Sequence, residues 1–152
     1  MSLPAETGEL RDAIRALTRL HRLLDSAGAG LTLPQYRVLA ALEHGGVRSA
    51  HLAEKLAVRR PTLTALADGL VAAGYATRES EPGDRRVVKL HLTEAGLAVL
   101  DRADRAYLAK LGPLLDEVPH AGRLVADLLD FGAALDERLR TKLPMTAEGA
   151  KA

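Results

Sequence analysis

The groups able to do chemistry gather in the middle of this 152-residue chain. Arg59-Arg60-Pro61-Thr62-Leu63-Thr64 puts cations and hydroxyls side by side, and Asp84, Arg85, Arg86 and Lys89 follow downstream. Arg48 and Ser49 precede both groups. Guanidinium and ammonium groups neutralise phosphates, and arginine forks and hydroxyls hydrogen-bond the edges of bases. The chemistry on offer is therefore non-covalent recognition of a polyanion. The charge distribution agrees. The formal net charge is only +1, but residues 48–91 carry eight Lys+Arg against five Asp+Glu, while the flanking thirds are neutral or acidic. A basic excess confined to one segment is the electrostatic footprint of nucleic-acid binding.

Other chemistries find little support. The chain has no cysteine, which excludes disulfides, thiolate metal sites and cysteine nucleophiles. His21, His44, His51, His91 and His120 show no ligand-like spacing, so no metal is expected. There is no glycine-rich cofactor loop and no nucleophile–base arrangement. Neither a cofactor nor an enzymatic activity is expected. Met1–Gly8 lacks the basic and apolar runs of a secretory signal, and no stretch is long and apolar enough for a membrane, so a cytoplasmic location is expected.

The elements that must position the cations are legible from periodicity. Leu10, Ile14, Leu17 and Leu24 recur at helical spacing from Glu6 to about Ser26, and Ala27-Gly28-Ala29-Gly30 ends that helix. Thr32, Pro34 and Gln35 form a capping box for the next helix, which ends at Gly45-Gly46. Ser49 is expected to cap a short helix to about Ala57. A third runs from Arg60 or Pro61 to Ala73, with Leu63, Leu66 and Leu70 inward, so that Thr62 and Thr64 face outward. Tyr75–Glu79 and Val87–Leu92 read as two strands around the turn-forming run Ser80–Asp84. Thr93 caps a long helix that Gly112-Pro113 should interrupt or kink, and Pro119 opens a last helix carrying Leu124, Leu128, Phe131, Leu135 and Leu139. Residues 141–152 are expected to be a mobile tail.

The fold class is mainly α with a small β-hairpin: a winged helix-turn-helix between long N- and C-terminal helices, in a single domain. In such an arrangement the second helix of the motif enters the major groove. The free N–H groups at its entrance favour phosphate.

The detail of the sequence resembles the multiple antibiotic resistance regulator (MarR) family. The matching pieces are Leu31-Thr32-Leu33-Pro34-Gln35-Tyr36-Arg37-Val38-Leu39, Leu52-Ala53-Glu54-Lys55-Leu56, Thr62-Leu63-Thr64 and Leu66-Ala67-Asp68-Gly69-Leu70. The most specific is the wing run from Gly83-Asp84-Arg85-Arg86 to Leu92-Thr93-Glu94-Ala95-Gly96. The resemblance implies a homodimer built from residues 6–30 and 93–140, with 31–92 as the DNA-binding part. It implies a double-stranded, pseudo-palindromic operator, a repressor's role, and a small aromatic or lipophilic effector in a pocket for which His21, Tyr36 and Tyr107 are candidates. Arg59, Ala65 and Gly69 depart from the family pattern in the recognition helix. The competing expectation is a winged-helix protein-interaction module that does not bind DNA.

Overall fold

The computed structural model describes residues 7–142. The elements, in chain order, are α1 (Thr7–Asp25), α2 (Leu33–Leu42), β1 (Val47–Arg48), α3 (Ser49–Lys55), α4 (Arg60–Ala72), β2 (Ala76–Glu81), β3 (Asp84–Leu92), α5 (Glu94–Glu117) and α6 (Ala121–Lys142). Of the tail expected to be mobile, 141–142 close α6 and the rest lies outside the described residues. So do residues 1–6.

The core sits under α2, α3, α4 and the sheet. Val38, Leu39 and Leu42 of α2 meet Leu52 and Ala53 of α3, Leu63, Ala67 and Leu70 of α4, Leu90 of β3, and Val99 and Leu100 of α5. The i, i+3/i+4 spacing on each helix supplies one apolar stripe, and the stripes converge. The capping box forms as its residues dictate: Gln35 N–H donates to the Thr32 hydroxyl at 3.3 Å, and Thr32 N–H donates to the Gln35 side chain at 3.0 Å.

The turn between α3 and α4 is held from two sides. Ala57 adopts a left-handed backbone (φ 54°), an uncommon conformation for alanine. Arg37 reaches across from α2 and donates to the Leu56 carbonyl at 2.8 Å.

The sheet has three antiparallel strands in the order β1-β3-β2, one more than the expected hairpin. β1 is only Val47–Arg48, too short to show an alternating pattern in sequence, and pairs with Leu90 and Lys89. Ser49 does not cap α3. Its hydroxyl donates to the Val88 carbonyl at 3.1 Å, so it ties α3 to the wing. The strands also run closer to the tip than expected, with Pro82-Gly83 alone turning the chain and Gly83 taking φ +92°. Register jumps from Ser80↔Val88 to Glu81↔Asp84, which leaves residues 85–87 as a bulge.

The join between β3 and α5 is tight. The Thr93 hydroxyl donates to the Gly74 carbonyl at 2.7 Å and accepts from Gly96 N–H at 3.0 Å. Thr93 N–H donates to the Tyr75 carbonyl at 3.1 Å. Gly96 passes so close to Tyr75 that a Cβ there would fall on the Tyr75 carbonyl oxygen.

α5 continues through Gly112-Pro113 to Glu117 rather than stopping there. Pro113 lies in the last turns, where losing one N–H bond to the Ala109 carbonyl leaves the helix above it intact. α6 starts at Ala121, after a turn that contains Pro119 and a left-handed His120 (φ 62°).

Two substitutions test this packing. Gly96→Ala should lower stability by about 3 kcal/mol through overpacking against backbone. Gly69→Ala should raise it by roughly 0.5–1 kcal/mol, because the added methyl meets nothing within 4 Å and helix propensity improves. Chemical denaturation measures both, and opposite signs would contradict the packing described.

Candidate nucleic-acid interface

The α4 helix presents two faces. Leu63, Ala67 and Leu70 are buried, whereas Thr62, Thr64, Ala65, Asp68 and Gly69 are exposed. Pro61 at its first turn needs no N–H partner and pre-sets the helical φ. Arg59 occupies the N-cap position without making a capping bond, so the first N–H groups of α4 are not satisfied by that side chain.

Between α4 and the wing runs an open groove of about 560 Å³, lined by Arg48, Ser49, Arg60, Thr64, Arg78 and Arg86 among others. Five of the residues expected from sequence to meet nucleic acid thus share one concavity. Arg60 enters from the start of α4 and Arg86 from the bulge of β3. Arg86 is in phase with Val88, which lines the same groove, although it stands within the irregular stretch of β3. Asp84 supports it: its carboxylate accepts from Arg86 N–H at 2.9 Å. The contact is to the backbone, so Asp84 shapes the wing tip and leaves the Arg86 guanidinium unpaired among the described residues.

The other expected residues fall around this groove. Arg59 and Thr62 are exposed beside its α4 end. Thr64 lines it, with its hydroxyl donating back to the Arg60 carbonyl at 2.9 Å. Arg85 stands in the bulge by its backbone, and its side chain lies outside the described residues. Arg48 and Lys89 both meet one carboxylate while keeping part of each side chain in solvent. Arg48 contacts Glu81 at 2.9 and 3.0 Å, and the Lys89 ammonium lies 3.6 Å from it. The Arg48 hydrogen bond and nearby positive charge hold the Glu81 carboxyl below its ordinary range.

Arg78 is the groove residue that sequence reasoning missed. It lies on β2, forms an ion pair with Asp68 of α4 at 2.6 Å, and reaches the Thr64 carbonyl at 3.5 Å. Acidic neighbours Glu79 and Glu81 masked it in the sequence. Its usable signal was the odd–even alternation with Ala76, which fixes the face of β2 it occupies.

Of the three effector-pocket candidates, two come together. Tyr36 and Tyr107 pack edge to face with ring centroids 4.9 Å apart. The Tyr36 hydroxyl donates to Asp104 at 2.6 Å, while the buried Tyr107 hydroxyl has no hydrogen-bond partner among the described residues. Burial and then the Asp104 hydrogen bond raise the Tyr36 phenol, and burial with the charges of Asp25 and Asp104 raises Tyr107. His21 is exposed on α1 and has no hydrogen-bond or ion-pair partner among the described residues.

Three short helices with a basic groove against a bulged wing define a winged helix-turn-helix protein. Residues 29–87 match the model of the MarR family. The HTH-type transcriptional repressor NicR of Pseudomonas putida is 39% identical over 72 residues, covering 47% of this chain and 46% of NicR. The chain spans about half the length of the curated relatives it matches. Among solved structures, the transcriptional repressor CouR bound to a 23-mer DNA duplex is 29% identical with a TM-score of 0.72, over 86% of this chain and 97% of CouR. AbsC, a MarR family transcriptional regulator from Streptomyces coelicolor, shares the fold at 21% identity and a TM-score of 0.74, over 93% of this chain and 99% of AbsC. The match to the MarR family thus covers residues 29–87, and the fold it shares with solved winged-helix regulators extends over most of the chain.

The tyrosine pair yields an alkaline signature. A folded-state pKa above the ordinary 10.0 means the native protein keeps a proton that the unfolded chain releases. That stability is present below pH 10 and is lost as pH rises beyond it. Tyr36→Phe should cost about 1 kcal/mol at neutral pH through the lost hydrogen bond and should flatten the alkaline decline. Denaturation series on either side of pH 10 read both effects. Identical alkaline slopes in the two proteins would contradict the assignment.

Proposed function

We propose that this chain is a homodimeric transcriptional repressor that binds a pseudo-palindromic DNA operator and is released by a small aromatic or lipophilic ligand. The observation that carries the DNA reading is the groove in which Arg60 of α4 and Arg86 of the wing face the same space without carboxylate partners among the described residues. In this reading α4 enters the major groove with Arg59, Arg60, Thr62 and Thr64 at its entrance. Arg85 and Arg86 approach the minor groove, where narrow geometry draws arginine electrostatically. Ser49, Asp84, Arg48 and Lys89 order the groove's rim. The relatives support it: NicR carries the description transcriptional repressor, and CouR was solved on a duplex.

The dimer reading rests on uncovered apolar surface. Leu10, Ile14 and Leu17 of α1, Leu108 and Leu114 of α5, and Leu124, Leu128, Leu129, Phe131 and Leu135 of α6 are all exposed, Phe131 at 69% and Leu129 at 70%. Patches of this kind mark association surfaces. Their helical spacing suits helices interlocked across a two-fold axis. The ligand reading rests on Tyr107, whose buried hydroxyl is unsatisfied next to the Tyr36 ring. Buried polar groups of this sort are regularly completed by a bound molecule or water.

Light scattering should return twice the 16.2 kDa chain mass. If each protomer engages about four phosphates, log K for a selected operator should fall with log salt at a slope of roughly −7. Arg60→Ala and Arg86→Ala should each weaken binding by about tenfold or more and flatten that slope, with the dimer intact. A monomer, a slope near zero, or unchanged affinity in both variants would contradict the proposal.

A further inference from the structure

Four arginines line the groove, and they are not equivalent. Arg60 and Arg86 have no carboxylate partner among the described residues. Arg48 is held by Glu81 at 2.9 Å, and Arg78 by Asp68 at 2.6 Å. Glu81 also draws Lys89, at 3.6 Å. These carboxylates do little for stability, because exposed ion pairs gain little over hydration. The Arg48 side chain makes no capping bond to α3, and Asp68 lies on the outward face of α4, where a docked duplex would meet it.

We propose that Glu81 and Asp68 are specificity-determining residues: each holds a groove arginine off the phosphate backbone and so suppresses sequence-independent DNA binding. The inference rests on the DNA-binding reading above. Sequence-independent affinity is almost entirely electrostatic and scales with the number of phosphates neutralised. A groove with four free arginines would grip any duplex. With two of them occupied from within, the available cations are those at the α4 entrance and the wing bulge, the two elements that reach into grooves. Base contacts and DNA shape then carry a larger share of the total. Asp68 adds like-charge repulsion against a misplaced phosphate, the repulsive component on which discrimination depends.

The test compares the wild-type dimer with Glu81→Gln and Asp68→Asn on a selected operator and on a random-sequence duplex, by fluorescence anisotropy across a salt series. Glu43→Gln is the control. It changes net charge equally, but Glu43 lines a separate cavity with Gly46 and His91 and pairs with no groove arginine. Each groove variant should tighten random-duplex binding by about tenfold or more near 0.1 M salt and steepen the salt slope by about 2 per dimer. Operator affinity should rise less, so the specificity ratio falls, and Glu43→Gln should match wild type. Unchanged or weaker random-duplex binding in Glu81→Gln and Asp68→Asn would overturn the proposal, as would an equal gain in Glu43→Gln. If wild type binds the operator normally, such a result leaves the DNA-binding reading standing. If wild type binds neither duplex, both fall together.

Discussion

The passage of Gly96 against the Tyr75 carbonyl is the constraint on which the rest of the architecture depends. It allows α5 to start directly at the end of β3, with Thr93 bonded at once to the α4–β2 turn and to the first turn of α5. Wing, α4 and α5 therefore meet at one joint. A side chain at residue 96 would force them apart. The Leu-Thr-Glu-Ala-Gly run after β3 is thus a packing requirement as much as a family signature.

The same joint gives the Tyr36–Tyr107 pair a mechanical position. Tyr107 and Asp104 lie on α5, Tyr36 on α2, and both helices pack into the core that supports α4. A molecule that completed the Tyr107 hydroxyl would act on the spacing of α2 and α5. By linkage, binding that favours one spacing must weaken whatever requires another. The apolar stripes of α1 and α6 extend the same logic outward. Their large side chains stay exposed among the described residues.

Much of this was legible in the sequence because local rules agreed with the global fold. The Thr32–Gln35 capping box, the inward leucines of α4 and the Thr93 cap are short-range patterns, and each formed as its residue types dictate. What escaped were features set by register. β1 has two residues and no pattern of its own. The bulge at 85–87 depends on how Pro82-Gly83 turns the chain, and no residue type in that run marks it. Ser49 looked like a helix cap but found the Val88 carbonyl, because β1 brings α3 against the wing. The pairings Arg48–Glu81 and Arg78–Asp68 span 33 and 10 positions and exist only once the hairpin is in register. Charge counting alone therefore overstated the cations free to meet phosphate. On α1, Leu24 packs against the cluster that holds both tyrosines, whereas His21, three residues earlier, is exposed.

The central claim is that two copies of one rigid helix-and-wing unit read adjacent turns of a duplex. Hydroxyl-radical footprinting of the protein on a selected operator measures this most directly. Two symmetry-related protected stretches, centred about 10–10.5 base pairs or a multiple apart, are the predicted result. A single protected half-site, or two stretches out of phase with the helical repeat, would contradict it.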